Sequence, residues 1–248
     1  MRRSSVDVFR RYLSAQSTPV AEQPSTPKPA ITISRQTGAG AVTVAHLVAQ
    51  QLDLDCQGDP PCPWIVVDRD LVSRILEDHN LSKKIEEFMP EDAKFPLKDT
   101  LEALLGLHPS SWTLKEHAKD TIRKLAVNGN VILVGRGGAA ITALFPRILH
   151  VRLVAPFHVR VRNFAEFHQI TADKATRLVR ETDEARYRYV QRYFGADVDD
   201  PLHYHLVINT GRNSFQETAQ IISSALLNRI AGHDPKESVS DISSLSAK

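Results

Sequence analysis

Apolar residues gather in five short runs along this chain, separated by stretches with helical periodicity. The runs are ITIS (31–34), WIVVD (64–68), VILVG (131–135), LHVRLVA (149–155) and HLVIN (205–209). Each has the length of a strand. Most are near-continuous in Val, Ile and Leu, the pattern of strands covered on both faces. Between the runs, Val44, Leu47, Val48 and Leu52 recur at helical spacing, marking one apolar helix face. Leu114, Ala118, Ile122 and Leu125 repeat the pattern, which stops at Asn128-Gly129, a pair suited to a helix C-terminus. Strands alternating with helices predict an α/β fold built on a doubly wound parallel sheet.

The ends break the pattern. Residues 1–30 include STPVAEQPSTPKPA, too rich in Pro, Ser and Thr to bury a core, and read as a disordered basic arm and linker. Residues 231–248 read as a second disordered tail. The domain is expected over 31–230. No internal repeat interrupts it.

Composition narrows the function classes. The 248 residues are 42% hydrophobic and 24% charged, those of an ordinary globular protein with ample core material. A formal net charge of +2 argues for neither a nucleic-acid nor a membrane partner. No apolar run approaches the roughly 18 residues that span a bilayer. A cytoplasmic protein is expected. Cys56 and Cys62 in DCQGDPPCPW lack zinc-type partners at ligand spacing and read as a reduced pair, with a loop disulfide as the alternative. Oligomeric state is not legible.

In open parallel sheets, ligands bind beyond the carboxyl ends of the strands. Those ends carry Ser34-Arg35-Gln36, Asp68-Arg69-Asp70, Gly135-Arg136-Gly137-Gly138, Ala155-Pro156 and Asn209-Thr210-Gly211-Arg212. Four of the five contain arginine, whose planar fork donates paired hydrogen bonds to phosphate oxygens. The segment from Arg35 to Thr43 is the most pointed of them. Gly38 and Gly40 allow a bend whose successive N–H groups form an anion nest. The helix expected from about Ala41 turns its positive end toward the same place. Thr43 could offer a hydroxyl to Mg²⁺. The Walker pattern G-x-x-x-x-G-K-[ST] is not met, because Arg35 replaces its first glycine, Ala41 its lysine, and Val42 follows.

The order and spacing of these pieces extend the reading. ITISRQTGAGAVTVA, VVDRDLV, VILVGRGGAAITALFPRILHVRLVAPFHVRVRN and ETDEARYRYVQRYFGADVDDPLHYHLVINTGR together resemble the cytidylate kinase-like family, relatives of the nucleoside monophosphate kinases. The resemblance runs from Ile31 to about Leu227. It implies a P-loop-type five-stranded sheet, with a helical acceptor-binding insertion over about 80–128 and a lid over about 180–200. It also implies ATP and Mg²⁺ as cofactors and small-molecule nucleotides as partners. Members of this branch often lack the loop lysine and carry an arginine before the glycines, as Arg35 does. They frequently have another basic residue just after the glycine bend, where this chain has Val42.

On that likeness, Arg35, Asp68, Arg186 and Arg192 are the candidate catalytic residues. Gly38, Ala39, Gly40, Ala41, Val42 and Thr43 would hold the polyphosphate, with Thr43 and Asp68 beside the metal. Arg136 and Gly137 would meet the acceptor. An aspartate follows that arginine in cytidylate kinases, so Gly137 leaves cytosine selectivity unsupported. Arg186 and Arg192 flank ARYRYVQRY, which reads as turn-prone. The plainer reading makes the lid arginines, Arg180 and Arg188 included, exposed partners of Asp173, Glu181, Asp183 and Glu184. Asp68 could equally cap the next helix, with Asp70 competing. Lys94, Lys98, His108 and Trp112 are acceptor-side candidates. Two functions follow: phosphoryl transfer from ATP to a CMP- or dCMP-like nucleoside monophosphate, or nucleotide binding by a sensor that has lost turnover. A small-molecule kinase with another acceptor shares the fold.

Overall fold

The computed structural model describes residues 28–55, 63–68, 122–123 and 125–232. Five strands form one parallel sheet: β1 (Ala30–Arg35), β2 (Ile65–Val67), β3 (Val131–Val134), β4 (Ile148–Val154) and β5 (Leu206–Asn209), in spatial order β2-β3-β1-β4-β5. The central strand β1 is in register with β3 through Ile31 and Ile132, and with β4 through Ile33 and Val151. All five apolar runs of the sequence are strands, each within two residues of its expected bounds. Lys28 and Pro29 already belong to the fold, since the Pro29 carbonyl accepts the Asn130 N–H at 2.7 Å.

One face of the sheet is fully apolar. Ile31, Ile33, Ile132 and Leu153 pack there against Val44, Val48 and Leu52 of α1 (Ala41–Asp55). Ile222 and Leu226 of α5 (Phe215–Gly232) complete that cluster. Burying each such side chain stabilises the fold by about 1.5–3 kcal/mol. The other face departs from the expected all-apolar burial. Thr32, His150 and Arg152 point there, and each is buried. Such groups persist in an interior only when bonded. Thr32 Oγ1 lies 2.9 Å from His150 Nδ1, and Arg152 Nη1 donates to Ser34 Oγ at 3.0 Å.

Short α2 (Gly138–Ile141) follows β3, and α3 (Phe157–His168) and α4 (Ala172–Phe194) follow β4. Val161 of α3 packs on Ala175 and Val179 of α4. The segment ARYRYVQRY is not a turn. It lies wholly inside α4, which runs unbroken from its Thr171 cap to Gly195. Helix-neutral aromatics are held helical there by tertiary contact. Val190 is buried, the Tyr189 and Tyr193 rings meet at 4.8 Å, and Phe194 presses on Gly137.

The arm up to residue 27, the tail from 233, both cysteines, Arg69, Asp70 and most of the 80–128 insertion, including Lys94, Lys98, His108 and Trp112, lie outside the described residues. No helix among the described residues is long and apolar enough to cross a membrane.

Candidate functional site: a lysine-free phosphate loop braced by a carboxylate

The loop between β1 and α1 takes the shape its glycines permit. Gly38 and Gly40 have φ of 81° and 78°, which side-chain-bearing residues adopt at a cost. Space forbids a side chain as well. A Cβ on Gly38 would lie 2.2 Å from the Arg160 carbonyl oxygen, and one on Gly40 would lie 2.3 Å from the Phe215 ring. Helix α1 begins at Ala41, with Val44 N–H donating to the Gly40 carbonyl at 3.0 Å. Ala41 itself is buried in the apolar cluster.

Four side chains from later in the chain hold this loop. Asn163 Nδ2 donates to the Gly38 carbonyl at 3.1 Å, and Thr210 Oγ1 to the Ala39 carbonyl at 3.0 Å. Arg160 Nη1 donates to the Thr37 carbonyl at 3.2 Å. Asp183 of α4 makes the tightest contact: its Oδ1 accepts both Thr37 N–H at 2.7 Å and Thr37 Oγ1 at 2.6 Å. Its Oδ2 is ion-paired to Arg160, which is itself buried. Asp183 is therefore no exposed partner in a charge stripe. Its neighbour Glu184 does behave so, pairing with Arg188 at 2.8 Å where both are exposed. In the sequence the two are alike; only the helix phase that Asp183 shares with Arg186 separates them.

The candidate arginines divide. Arg35, Arg136 and Arg186 come within electrostatic reach of one another. Burial first, then repulsion from Arg136, lowers the Arg35 guanidinium to about 10, against partial support from Asp68 and Asp183. Burial, then repulsion from Arg35, lowers Arg186 to about 9, with Asp183 opposing and Arg136 and Arg152 adding to the fall. Both stay charged at neutral pH. Arg186 Nη1 donates to the Arg35 carbonyl at 3.2 Å. Yet Arg35 Nη1 and Arg186 Nε are buried N–H groups without a hydrogen-bond partner. Such donors are rare in proteins; among the described residues His150 Nε2, which lines neither of the two cavities beside this cluster, is left in the same way. Arg192, farther along α4, is exposed and sits 5.8 Å over the Tyr193 ring; it is not brought to the loop. Arg180 lies over Phe157 at 5.0 Å.

Two cavities meet this cluster. One, of about 220 Å³, is lined by the loop from Arg35 to Thr43 together with Arg186. It therefore gathers every candidate polyphosphate residue: Gly38, Ala39, Gly40, Ala41, Val42 and Thr43. The other, of about 40 Å³, is lined by Arg136 and Gly137 with Ser34, Asp197 and Tyr204. Asp68 is buried just beyond β2 and close enough to stabilise the Arg35 charge. Its capping role concerns residues outside those described. Arg152 lies near this group and adds to the lowering of Arg186; a charged residue inside the apolar run LHVRLVA is the signal of it in the sequence. It is buried, bonded to Ser34 and Asp199, and 5.7 Å from the Tyr204 ring centre.

Comparison with known proteins bears on the family and the fold. The model of the "Cytidylate kinase-like family" matches residues 30–212. A cytidylate kinase of Staphylothermus marinus is 33% identical over 97 residues, 39% of this chain and 54% of that protein. One of Methanopyrus kandleri is 30% identical over 123 residues, 46% of this chain and 63% of that protein. The chain thus spans less than two thirds of either relative. A solved structure of a Eubacterium ventriosum protein superposes with a TM-score of 0.55 at 16% identity, covering 80% of this chain and 98% of that one. That last likeness bears on the fold alone.

Proposed function

The chain belongs to the cytidylate kinase-like family, and from that premise we propose that it transfers the γ-phosphoryl group of ATP to a nucleoside monophosphate of the CMP or dCMP type. The observation that carries this reading is the pair of buried donors without a hydrogen-bond partner, Arg35 Nη1 and Arg186 Nε, on residues that line one cavity together with the Gly38–Gly40 bend.

Phosphoryl transfer needs in-line positioning and neutralisation of charge on the moving group, with little covalent chemistry from the protein. In the usual loop a lysine supplies part of that charge. Here the guanidiniums of Arg35, at the end of β1, and Arg186, on α4, take its place. An anion between them relieves the repulsion that lowers both groups, so binding energy goes to the phosphate that must move. Arg136, on the smaller cavity, is the acceptor-side cation. An oxygen of the acceptor phosphate attacks the γ-phosphorus as the bond to the β,γ-bridging oxygen breaks, giving ADP and a nucleoside diphosphate.

Magnesium in such sites is held by one or two protein oxygens together with substrate phosphates. No cluster of three or more metal-ligating side chains exists among the described residues, and none is required. The Thr43 hydroxyl, on the loop cavity, and the Asp68 carboxylate, beside the Arg35 charge, fit that sparse donor set. When bound, the ion would withdraw charge from the β- and γ-phosphate oxygens.

The second reading, a nucleotide sensor without turnover, rests on Ala41. That residue is buried in the apolar cluster, and Val42 follows it, so the loop offers no cation of its own. An assay of ADP release over CMP, dCMP, UMP, AMP and GMP with Mg²⁺-ATP separates the two. Turnover on a pyrimidine monophosphate supports the kinase. Nucleotide-raised melting temperature with no turnover on any acceptor supports the sensor, and neither effect removes both readings.

A further inference from the structure

The larger cavity is lined by two chemically different sets of side chains. Arg35 and Arg186 supply charge. Phe164 and Phe167 of α3 and Phe215 of α5 supply rings. Phe215 is committed to structure, since its ring lies under Gly40. Phe164 is partly buried against the cluster joining α3 and α4. Phe167 differs, for 73% of its surface is exposed. Its ring meets His168 edge-on at 5.0 Å, and most of it stands open to solvent. An exposed aromatic beside buried, unpartnered arginine donors suits a ligand that is anionic at one end and flat and apolar at the other.

We propose that Phe167 is the platform on which the base of the phosphoryl donor stacks, and that this subsite accepts nucleoside triphosphates with little regard to base. The inference rests on the nucleotide reading above and deepens it. Stacking is tolerant of sequence because every base presents a π-face. Discrimination would need hydrogen-bonding side chains aimed at the base edge. Beside Phe164 in the lining, the Asn163 amide is held against the loop by its Nδ2 bond to the Gly38 carbonyl, so the charged side chains of the cavity suit phosphate and its rings suit a base.

The test is equilibrium binding of ATP, GTP, CTP, UTP and bare tripolyphosphate, each with Mg²⁺, to the full chain and to Phe167→Ala. Because Phe167 is exposed, the variant is expected to keep the wild-type melting temperature. A Phe167→Tyr variant controls for the ring. The four nucleotides should bind within about threefold of one another and about tenfold tighter than tripolyphosphate. Phe167→Ala should erase that tenfold margin without changing tripolyphosphate affinity, and Phe167→Tyr should restore it. Wild-type affinities equal for ATP and tripolyphosphate would overturn the platform and leave the anion site intact. So would an unchanged margin in Phe167→Ala. A preference above tenfold for one base would overturn the tolerance. If neither nucleotides nor tripolyphosphate bind, the nucleotide reading itself fails and this inference with it.

Discussion

Arg186 donates through Nη1 to the backbone carbonyl of Arg35, so two residues whose side chains repel one another are fastened through a main-chain oxygen. The hydrogen bond sets the distance, and Asp183 Oδ1, 3.8 Å from Arg186 Nη1, offsets part of the repulsion; in the proposed reaction a bound phosphate would relieve the rest. Arg186→Gln should therefore lower turnover by roughly 10²–10³, as loss of one well-placed charge-stabilising group does. It should also abolish the rise in melting temperature that pyrophosphate gives the wild type. Steady-state assay and thermal melts with and without pyrophosphate read both. A variant that still melts higher with pyrophosphate would remove Arg186 from the anion site.

Asp183 is the carboxylate on which the loop depends. Asp183→Ala would leave Arg160 buried without its acidic partner and Thr37 N–H without an acceptor. Such a loss costs about 3 kcal/mol, moderated here because Arg160 also bonds the Ala155 and Thr37 carbonyls. Urea unfolding measures it. A loss no larger than that of Glu184→Ala, whose pair with Arg188 is exposed, would return Asp183 to the surface stripe.

Gly38→Ala combines a disfavoured φ with a collision against the Arg160 backbone. Strain of this kind costs about 1–3 kcal/mol before the clash is counted. Gly195→Ala is the contrast. It shares a positive φ of 63° but meets nothing within 4 Å, so it should lose only the backbone share. Melting temperatures of the two variants should differ in that order.

Acid should destabilise the fold through His150. Burial, then the neighbouring His205, lowers its imidazole from 6.5 to about 4, while in the unfolded chain it titrates normally. Between those values the unfolded state binds more protons, so stability rises with pH there. The contribution, on the order of 3 kcal/mol, is fully present above about pH 6.5 and is lost as pH falls toward about 4. Unfolding free energies at pH 7.5 and pH 5 should differ more for wild type than for His150→Gln, in which the His205 imidazole, lowered by burial and then by Arg229, still contributes.

Much of this molecule was legible from one dimension. The five runs of Val, Ile and Leu are the five strands, because apolar stretches of that length between turn residues have few alternatives. The glycine bend was legible for the same local reason, since Gly38 and Gly40 serve both a conformation and a close approach. What escaped depends on contacts distant in sequence. Asp183 reaches Thr37 across 146 positions, and nothing local distinguishes it from Glu184. Arg192 was weighted equally with Arg186 although six residues apart on one helix places them in different surroundings. ARYRYVQRY looked turn-prone because its aromatics favour other conformations in isolation, whereas Val190 and Phe194 anchor them in a helix. Arg152 is the residue that sequence reasoning could have caught, a charge amid an apolar strand.

The carboxylate that grips Thr37 and the guanidinium that lines the cavity stand three residues apart on one continuous helix. Any swing of that helix large enough to withdraw Arg186 must also drag Asp183 from the Thr37 amide. Uncovering the cavity and slackening its floor would then be a single event with a single rate. The exchange of one amide proton, that of Thr37, would clock it, and exchange faster than the movement of Arg186 would show that the two contacts part separately.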